Sequence, residues 1–299
     1  MNEKETNIII SRIEKWYNRL PGMFVEDRQS LTAKYSWSKN PVPFTNRLEK
    51  KYKPIKKGKS WGKEWDSAWF HLVGKVKKEW AGKIIVADLD FSGEGLVYDP
   101  KGNEVQGITN ASIWDPNFVR TRVILPKNCF NNNNVEIWVE TAANSLFGIY
   151  VDPDPEQDNP KRHGTFDAKV ETIDIGIFRK DIWDLYLDAR ILYGLIERLD
   201  KKSTRRARII NTMNQAIIAF KDDTKNAEPS RKILSHELSK RATSSDLKVA
   251  AVGHAHIDTG WLWPVRETIR KCARTFSTQL DLIDKYPDYI FGASMPQHY

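Results

Sequence analysis

Cysteine is scarce: the 299 residues hold two, Cys129 and Cys272. Two thiols that far apart do not make the disulfide framework of a small secreted domain. Both read as free, buried thiols of a reducing compartment. Long apolar runs are missing too. The opening residues, Met-Asn-Glu-Lys-Glu-Thr-Asn, lead into only three isoleucines before Ser11 and Arg12. That run is too short for a secretory signal and far too short for a membrane span. A soluble cytoplasmic protein with no membrane partner is expected. Low-complexity tracts are absent as well, which excludes a disordered chain.

The charge is not balanced. The net charge is +8, with basic clusters at Lys50, Lys51 and Lys53, at Lys56, Lys57 and Lys59, and at Arg205, Arg206 and Arg208. A nucleic-acid binder would set such clusters in a module with stacking aromatics. No such module is present, so the basic residues read as solvated surface and no nucleic-acid partner is expected. Tryptophan, in contrast, is plentiful at 11 residues. Core packing accounts for most tryptophans, and stacking on a pyranose ring is the alternative use.

The chain is long enough for more than one domain. Residues 7–20 place Ile9, Ile13, Trp16, Tyr17 and Leu20 at helical spacing, ended by Pro21-Gly22. Residues 23–58 are polar and irregular, with Pro41, Pro43 and Pro54, and read as an extended arm. Strand signals begin near Trp61. Residues 68–76, 83–91, 119–125 and 135–141 carry alternating or apolar β-rich text, and residues 147–151 and 168–178 close the series around an acidic loop at 152–160. Residues 95–107 form a hairpin about the turn Asp99-Pro-Lys-Gly102. Short strands with frequent turns imply a β-sandwich.

The period then changes to that of helices. Ile182, Leu185, Tyr186, Ala189, Leu192, Tyr193, Ile196 and Leu199 share one stripe, and Ile209, Ile210, Met213, Ile217 and Phe220 share another. Residues 228–242 add a third helix, and Thr243-Ser-Ser-Asp246 is a polar break. The stretch Leu247-Lys-Val-Ala-Ala-Val-Gly-His254-Ala-His256-Ile-Asp258-Thr-Gly-Trp261-Leu-Trp263-Pro264 follows. It reads as a buried strand that breaks at Gly253 into a loop with two histidines, a carboxylate and two tryptophans. Beyond Pro264, the residues Val265, Ile269, Cys272, Ala273, Phe276, Leu280 and Ile283 step by three or four, and a strand over 289–294 ends a β-loop-α-β unit. Ligand groups at the C-terminal end of such a strand mark an active site on a parallel α/β sheet.

In extended backbone, side chains i and i+2 point the same way. His256 and Asp258 then converge, and His254 joins them if the extension begins early. Imidazole nitrogen and carboxylate oxygen are zinc ligands at roughly 2.0–2.2 Å, and a catalytic zinc takes three protein ligands. Spacing alone leaves a second reading open: a histidine capping the loop and an aspartate capping the next helix. Trp261 and Trp263 divide likewise between an aromatic wall for a sugar and packing against the helix.

The motif carries more than spacing. Gly253-His-Ala-His-Ile-Asp-Thr-Gly-Trp-Leu-Trp-Pro-Val-Arg-Glu-Thr268, continuing through Arg270-Lys-Cys-Ala-Arg-Thr-Phe276 to Gln297, resembles glycoside hydrolase family 38, the class II α-mannosidases. It is most similar to the cytosolic and vacuolar branch with its bacterial relatives. The segments Trp61-Gly-x-x-Trp-Asp-Ser-x-Trp-Phe70 and Gly93-Glu-Gly-Leu-Val-Tyr-Asp99 are similar to the N-terminal β-domain of that branch.

The resemblance implies a zinc-dependent retaining α-mannosidase that removes terminal α-linked mannose from oligosaccharides, with one divalent ion per site. It implies that His256 and Asp258 are zinc ligands, that Trp261 lines the sugar subsite beside the metal, and that His254 plays a supporting role outside the ligand set. It also implies a seven-stranded α/β barrel as the catalytic domain. Retention needs a carboxylate nucleophile and an acid roughly 5–5.5 Å apart. In the family these residues, and a further histidine ligand, come from later in the chain. Asp281, Asp284 and Asp288 are no substitutes, since they sit on or just after the helix that follows the motif.

The expected architecture is therefore a multidomain α and β chain. Residues 1–58 are a helix and arm, 59–178 a β-sandwich, 179–245 a helical connector, and 246–299 the first β-loop-α-β unit of a truncated barrel. On this reading the chain is an N-terminal portion and is inactive by itself. The alternative is a non-catalytic carbohydrate-binding or scaffold β-sandwich, with Trp61, Trp65, Trp69 or Trp114 as sugar platforms. A homo-oligomer is left open.

Overall fold

The structure, a computed structural model, describes residues 3–109, 119–144, 166–241, 248–261 and 263–299. The strand expected at 147–151, the loop at 152–160, Trp114, the polar break at 243–246 and Leu247 lie outside the described residues. The chain divides into two compact units, Met1–Asp27 with Ile177–Val249, and Arg28–Gly176 with Ala250–Tyr299.

The first unit is helical. Its helices are α1 (Glu3–Arg19), α2 (Lys180–Arg198), α3 (Thr204–Phe220) and α4 (Ala227–Leu238). The stripe read from α2 is its buried face: Ile182, Leu185, Ala189, Leu192 and Ile196 are all enclosed. Apolar groups recurring every three or four residues bury together because 3.6 residues complete a turn. The same unit takes in α1. Tyr17 stacks on Tyr186 and Tyr193, and Trp16 meets Phe220 edge-on at 6.0 Å. So α1 and residues 20–27 join α2–α4 rather than standing with residues 28–58.

The second unit is mostly antiparallel sheet. Its strands are β1 (Val25–Ser30), β2 (Thr32–Ser38), β3 (Lys53–Ile55), β4 (Ser60–Lys63), β5 (Ser67–Lys75), β6 (Ile85–Asp90) and β7 (Glu94–Tyr98). They continue with β8 (Glu104–Thr109), β9 (Arg122–Ile124), β10 (Phe130–Asn131), β11 (Asn134–Ala142), β12 (Asp167–Lys169) and β13 (Thr172–Phe178). The larger sheet runs β3-β2-β5-β11-β7-β8, with β10 also on β11, and the smaller runs β1-β13-β6-β9. Phe70 of β5 meets Phe91, which follows β6, at 4.3 Å, and Trp61 closes on Phe70 at 5.5 Å. These rings form the core between the sheets of a β-sandwich.

The hairpin β7–β8 turns as expected. The Asp99 carboxylate accepts the amide N–H groups of Lys101 and Asn103, and Gly102 takes φ +94°, which a side chain would resist. The arm expected over residues 23–58 is corrected. Residues 25–38 form β1 and β2, and β2 pairs with β5 from Thr32↔Val73 to Ser38↔Ser67. Polar text hid these strands, because β2 buries Ala33, Ser36 and Ser38 while Trp37 stays half exposed.

Of the tryptophans that the alternative reading offers as sugar platforms, Trp65 is half-buried and two are enclosed. Trp61 and Trp69 are buried, and their indole N–H groups donate to the carbonyls of Phe91 and Val42 at 2.8 Å. A buried indole that has found a backbone partner is packing, not a sugar surface. Cys129 and Cys272 are free and buried.

The same unit ends with β14 (Gly253–Ala255), α5 (Val265–Lys285) and β15 (Phe291–Ala293), and β14 pairs with β15 in parallel. The buried strand expected from Leu247 is corrected: residues 248–252 are irregular, and Val249 is 86% exposed. Pairing starts only where β15 offers a partner, at Gly253 with Phe291.

Helix α5 is inverted relative to its hydrophobic pattern. An apolar stripe ordinarily faces the core. Here Val265, Ile269 and Leu280 are more than 60% exposed, while Glu267, Thr268, Arg270, Arg274, Ser277 and Thr278 are buried. The buried face lies on β7, β8 and β11. Gly107 of β8 permits this approach, since a Cβ there would stand 2.7 Å from the Arg274 carbonyl oxygen. Thr278 Oγ1 accepts the Gly107 N–H at 3.0 Å, and Ser277 donates to Glu104.

Candidate metal centre

The loop between β14 and α5 carries the donor groups. His256 Nε2 lies 3.0 Å from Asp258 Oδ1, so the i, i+2 pair does converge. Both side chains reach solvent, at 62% and 42% exposure. His254 lies on β14 opposite Gly292 and is also exposed. No hydrogen bond among the described residues joins His254 to the pair. Extension ends at Ala255, so the three side chains are not held on one face.

Gly260 turns the loop with φ +75°, and the Trp261 N–H donates to the Trp263 carbonyl at 3.2 Å. The two indoles part company. Trp261 is 60% exposed and Trp263 only 8%, with their rings edge-on at 5.7 Å. Trp263 packs under the ammonium of Lys271, 4.6 Å from its ring centre. Its indole N–H donates to Thr268 Oγ1 at 3.1 Å. Trp263 is thus a structural residue and Trp261 a surface one.

Pattern reading missed two neighbours. Thr268 binds the loop from the first turns of α5. His298 Nε2 lies 2.7 Å from Thr259 Oγ1, beside Asp258 in sequence. Neither has a spacing signal: a single polar residue on a helix, or near a chain end, repeats nothing.

The donor set suits zinc in chemistry. Two ligands roughly 2.1 Å from one tetrahedral ion stand about 3.4 Å apart. The 3.0 Å between His256 Nε2 and Asp258 Oδ1 opens to that by a small rotation. The pair therefore fits two positions of a coordination shell. No group of three or more His, Cys, Asp or Glu that could hold a metal occurs among the described residues. Asp281 pairs instead with Lys285 at 2.7 Å.

Behind the loop lies a buried charged cluster. The Arg270 guanidinium binds Glu140 of β11, Glu267 at 2.5 Å, Ser67 Oγ at 3.1 Å and the Thr141 carbonyl at 2.5 Å. Lys271 and Arg274 reach Glu94 of β7 at 2.7 and 3.1 Å. Burial alone would raise the Glu94 carboxyl, but these two cations outweigh it and hold the carboxyl below the ordinary glutamate range. Burial opposes the charge on Arg270 likewise, and Glu140 and Glu267 more than restore it.

Comparison with known proteins bears on the same residues. A family described as α-mannosidase, jelly roll domain, matches residues 28–169, and one described as glycosyl hydrolases family 38 N-terminal domain matches residues 246–299. Over these two segments the chain is similar to glycoside hydrolase family 38 and to the jelly-roll domain of α-mannosidases. The jelly-roll match begins inside β1, which agrees with the place of β1 and β2 in the sandwich. The chain is 28% identical to mouse α-mannosidase 2C1, over 98% of its own length and 28% of that protein. It is 28% identical to Dictyostelium discoideum α-mannosidase G, over 99% and 28%, and 26% identical to a Saccharomyces cerevisiae α-mannosidase, over 88% and 24%. The chain thus spans about a quarter of the length of the curated relatives it matches. No helix of the described residues is long and apolar enough to cross a membrane.

Proposed function

We propose that this chain is part of a zinc-dependent retaining α-mannosidase that removes terminal α-linked mannose from oligosaccharides in the cytoplasm. The observation that carries the reading is the approach of His256 Nε2 to Asp258 Oδ1, 3.0 Å, inside the segment that matches family 38. His256 and Asp258 would hold the ion. Bound there, zinc would act as a Lewis acid and orient the sugar's hydroxyl groups. Trp261 offers an exposed indole face to the pyranose, and His254 supports the site from β14. No residue of this chain is assigned as nucleophile or acid, and the chain by itself is expected to be inactive. The reading needs neither nucleic acid nor membrane.

The test is His256→Ala in the native gene, read as turnover of an aryl α-mannoside in clarified lysate. Loss of at least about a hundredfold is expected for a lost metal ligand. Turnover equal to wild type would refute the assignment. The alternative, a sandwich that binds glycans by itself, is disfavoured by the burial of Trp61 and Trp69.

A further inference from the structure

Thr268 stands where the loop and the helix meet, and its hydroxyl is fully used. A threonine hydroxyl offers one O–H donor and two acceptor lone pairs. Thr268 Oγ1 accepts the Gly260 N–H at 2.9 Å and the Trp263 indole N–H at 3.1 Å, and donates to the Asp258 carbonyl at 3.3 Å. Three points of the loop, one of them the backbone of a metal-ligand candidate, are therefore tied to one side chain. Thr268 itself is 4% exposed, so water cannot stand in for it.

The turn that carries Thr268 is in turn tied to the sandwich. Glu267 precedes it and Arg270 follows two residues later, and Arg270 joins Glu267 to Glu140 of β11. Strand β11 is central in the larger sheet, paired with β5 on one side and β7 on the other. Paired sheet backbone thus stands behind a loop that has little regular pairing of its own.

We propose that Thr268 is the positioning residue of the loop that carries Asp258 and Trp261, and that the sandwich holds Thr268 in place through the Arg270–Glu140 pair. The sandwich then serves the site without touching the sugar. The proposal rests on the metal reading above only for what the loop is positioned to do.

The test compares Thr268→Val, which keeps shape and loses the hydroxyl, with Thr268→Ser, which keeps the hydroxyl. In the metal-free full chain, hydrogen exchange at the Gly260 amide and the Trp263 indole N–H is read by NMR. Thr268→Val is expected to speed both by about fivefold or more, the scale of one lost hydrogen bond, while Thr268→Ser stays near wild type. Equal exchange in all three proteins would overturn the proposal. Glu140→Gln, with helix content checked by circular dichroism, is expected to speed exchange at Gly260 as well. Unchanged exchange in that variant would overturn the role given to the sandwich. A parallel zinc titration of wild type and His256→Ala judges the metal assignment separately. If zinc binds, Thr268→Val is expected to weaken it about fivefold, and unweakened binding would count against positioning.

Discussion

The Arg270 guanidinium on α5 and the Glu140 carboxylate on β11 form a buried ion pair across 130 residues of sequence. Their side chains are 7% and 10% exposed, and Glu267, Ser67 and the Thr141 carbonyl take further bonds from the two terminal nitrogens of the arginine, while its Nε is buried without a partner. This pair anchors a helix whose apolar face is turned outward. With the bonds of Thr278, Ser277 and Lys271 to β8 and β7, it ties the helix that follows the His256–Asp258 loop to the sandwich.

Arg270→Met is expected to destabilise the second unit by about 3–5 kcal/mol, because it leaves the buried carboxylates Glu140 and Glu267 with only the longer contacts to Arg274. Glu140→Gln keeps a hydrogen-bonding side chain of the same shape and should cost less. Urea unfolding, followed by tryptophan fluorescence, measures both. Equal midpoints for wild type and Arg270→Met would show that the pair contributes nothing.

The pH response of the neighbouring contact of Lys271 and Arg274 follows from Glu94. Its carboxyl is depressed when folded, against an ordinary glutamate value of about 4.3 when unfolded. A depressed acid adds stability that is fully present above the unfolded value. That stability is lost as pH falls through the folded one. The urea midpoint of the wild type should therefore fall below about pH 4.3 more steeply than that of Glu94→Gln. Parallel pH curves for the two proteins would contradict the assignment.

Gly107→Val should push α5 off β8. The new Cβ would meet the Arg274 carbonyl at 2.7 Å and Thr278 Oγ1 at 3.0 Å, neither of them free to move far. Overpacking of this kind costs about 1–3 kcal/mol. Gly22→Ala is the control, since nothing lies within 4 Å of its added Cβ. Thermal melts that rank the two variants alike would count against close packing at Gly107.

The two loop tryptophans should separate stability from binding. Trp263→Ala removes a buried ring held by Thr268 and Lys271, and a loss of about 3–5 kcal/mol is expected. Trp261→Ala removes an exposed ring and should change the melting temperature little, within about 0.5 kcal/mol. In the whole enzyme it should instead weaken mannoside binding, seen as a raised KM. A large stability loss in Trp261→Ala would recast it as a packing residue.

Much of this was legible beforehand. The stripe of α2 and the turn at Asp99 follow from periodicity and turn chemistry, which are local, and β11 was legible as a strand, although both of its faces are buried from Ile137 to Ala142. Strands β1 and β2 were not legible, because β1 buries only Val25 and β2 buries the small residues Ala33, Ser36 and Ser38. Thr268 was invisible for another reason: its three partners are set by the fold of one loop, not by a repeat.

The sequence by itself determined which donor groups the loop carries, since residue identity needs no partner, while the loop beyond Ala255 brings His256 Nε2 to 3.0 Å from Asp258 Oδ1. Which face of α5 is covered was decided only by tertiary structure. Periodicity marks a face as apolar, but burial depends on what lies opposite. Here β7, β8 and β11 present Glu94, Glu104 and Glu140, which make an arginine-rich face the one that docks.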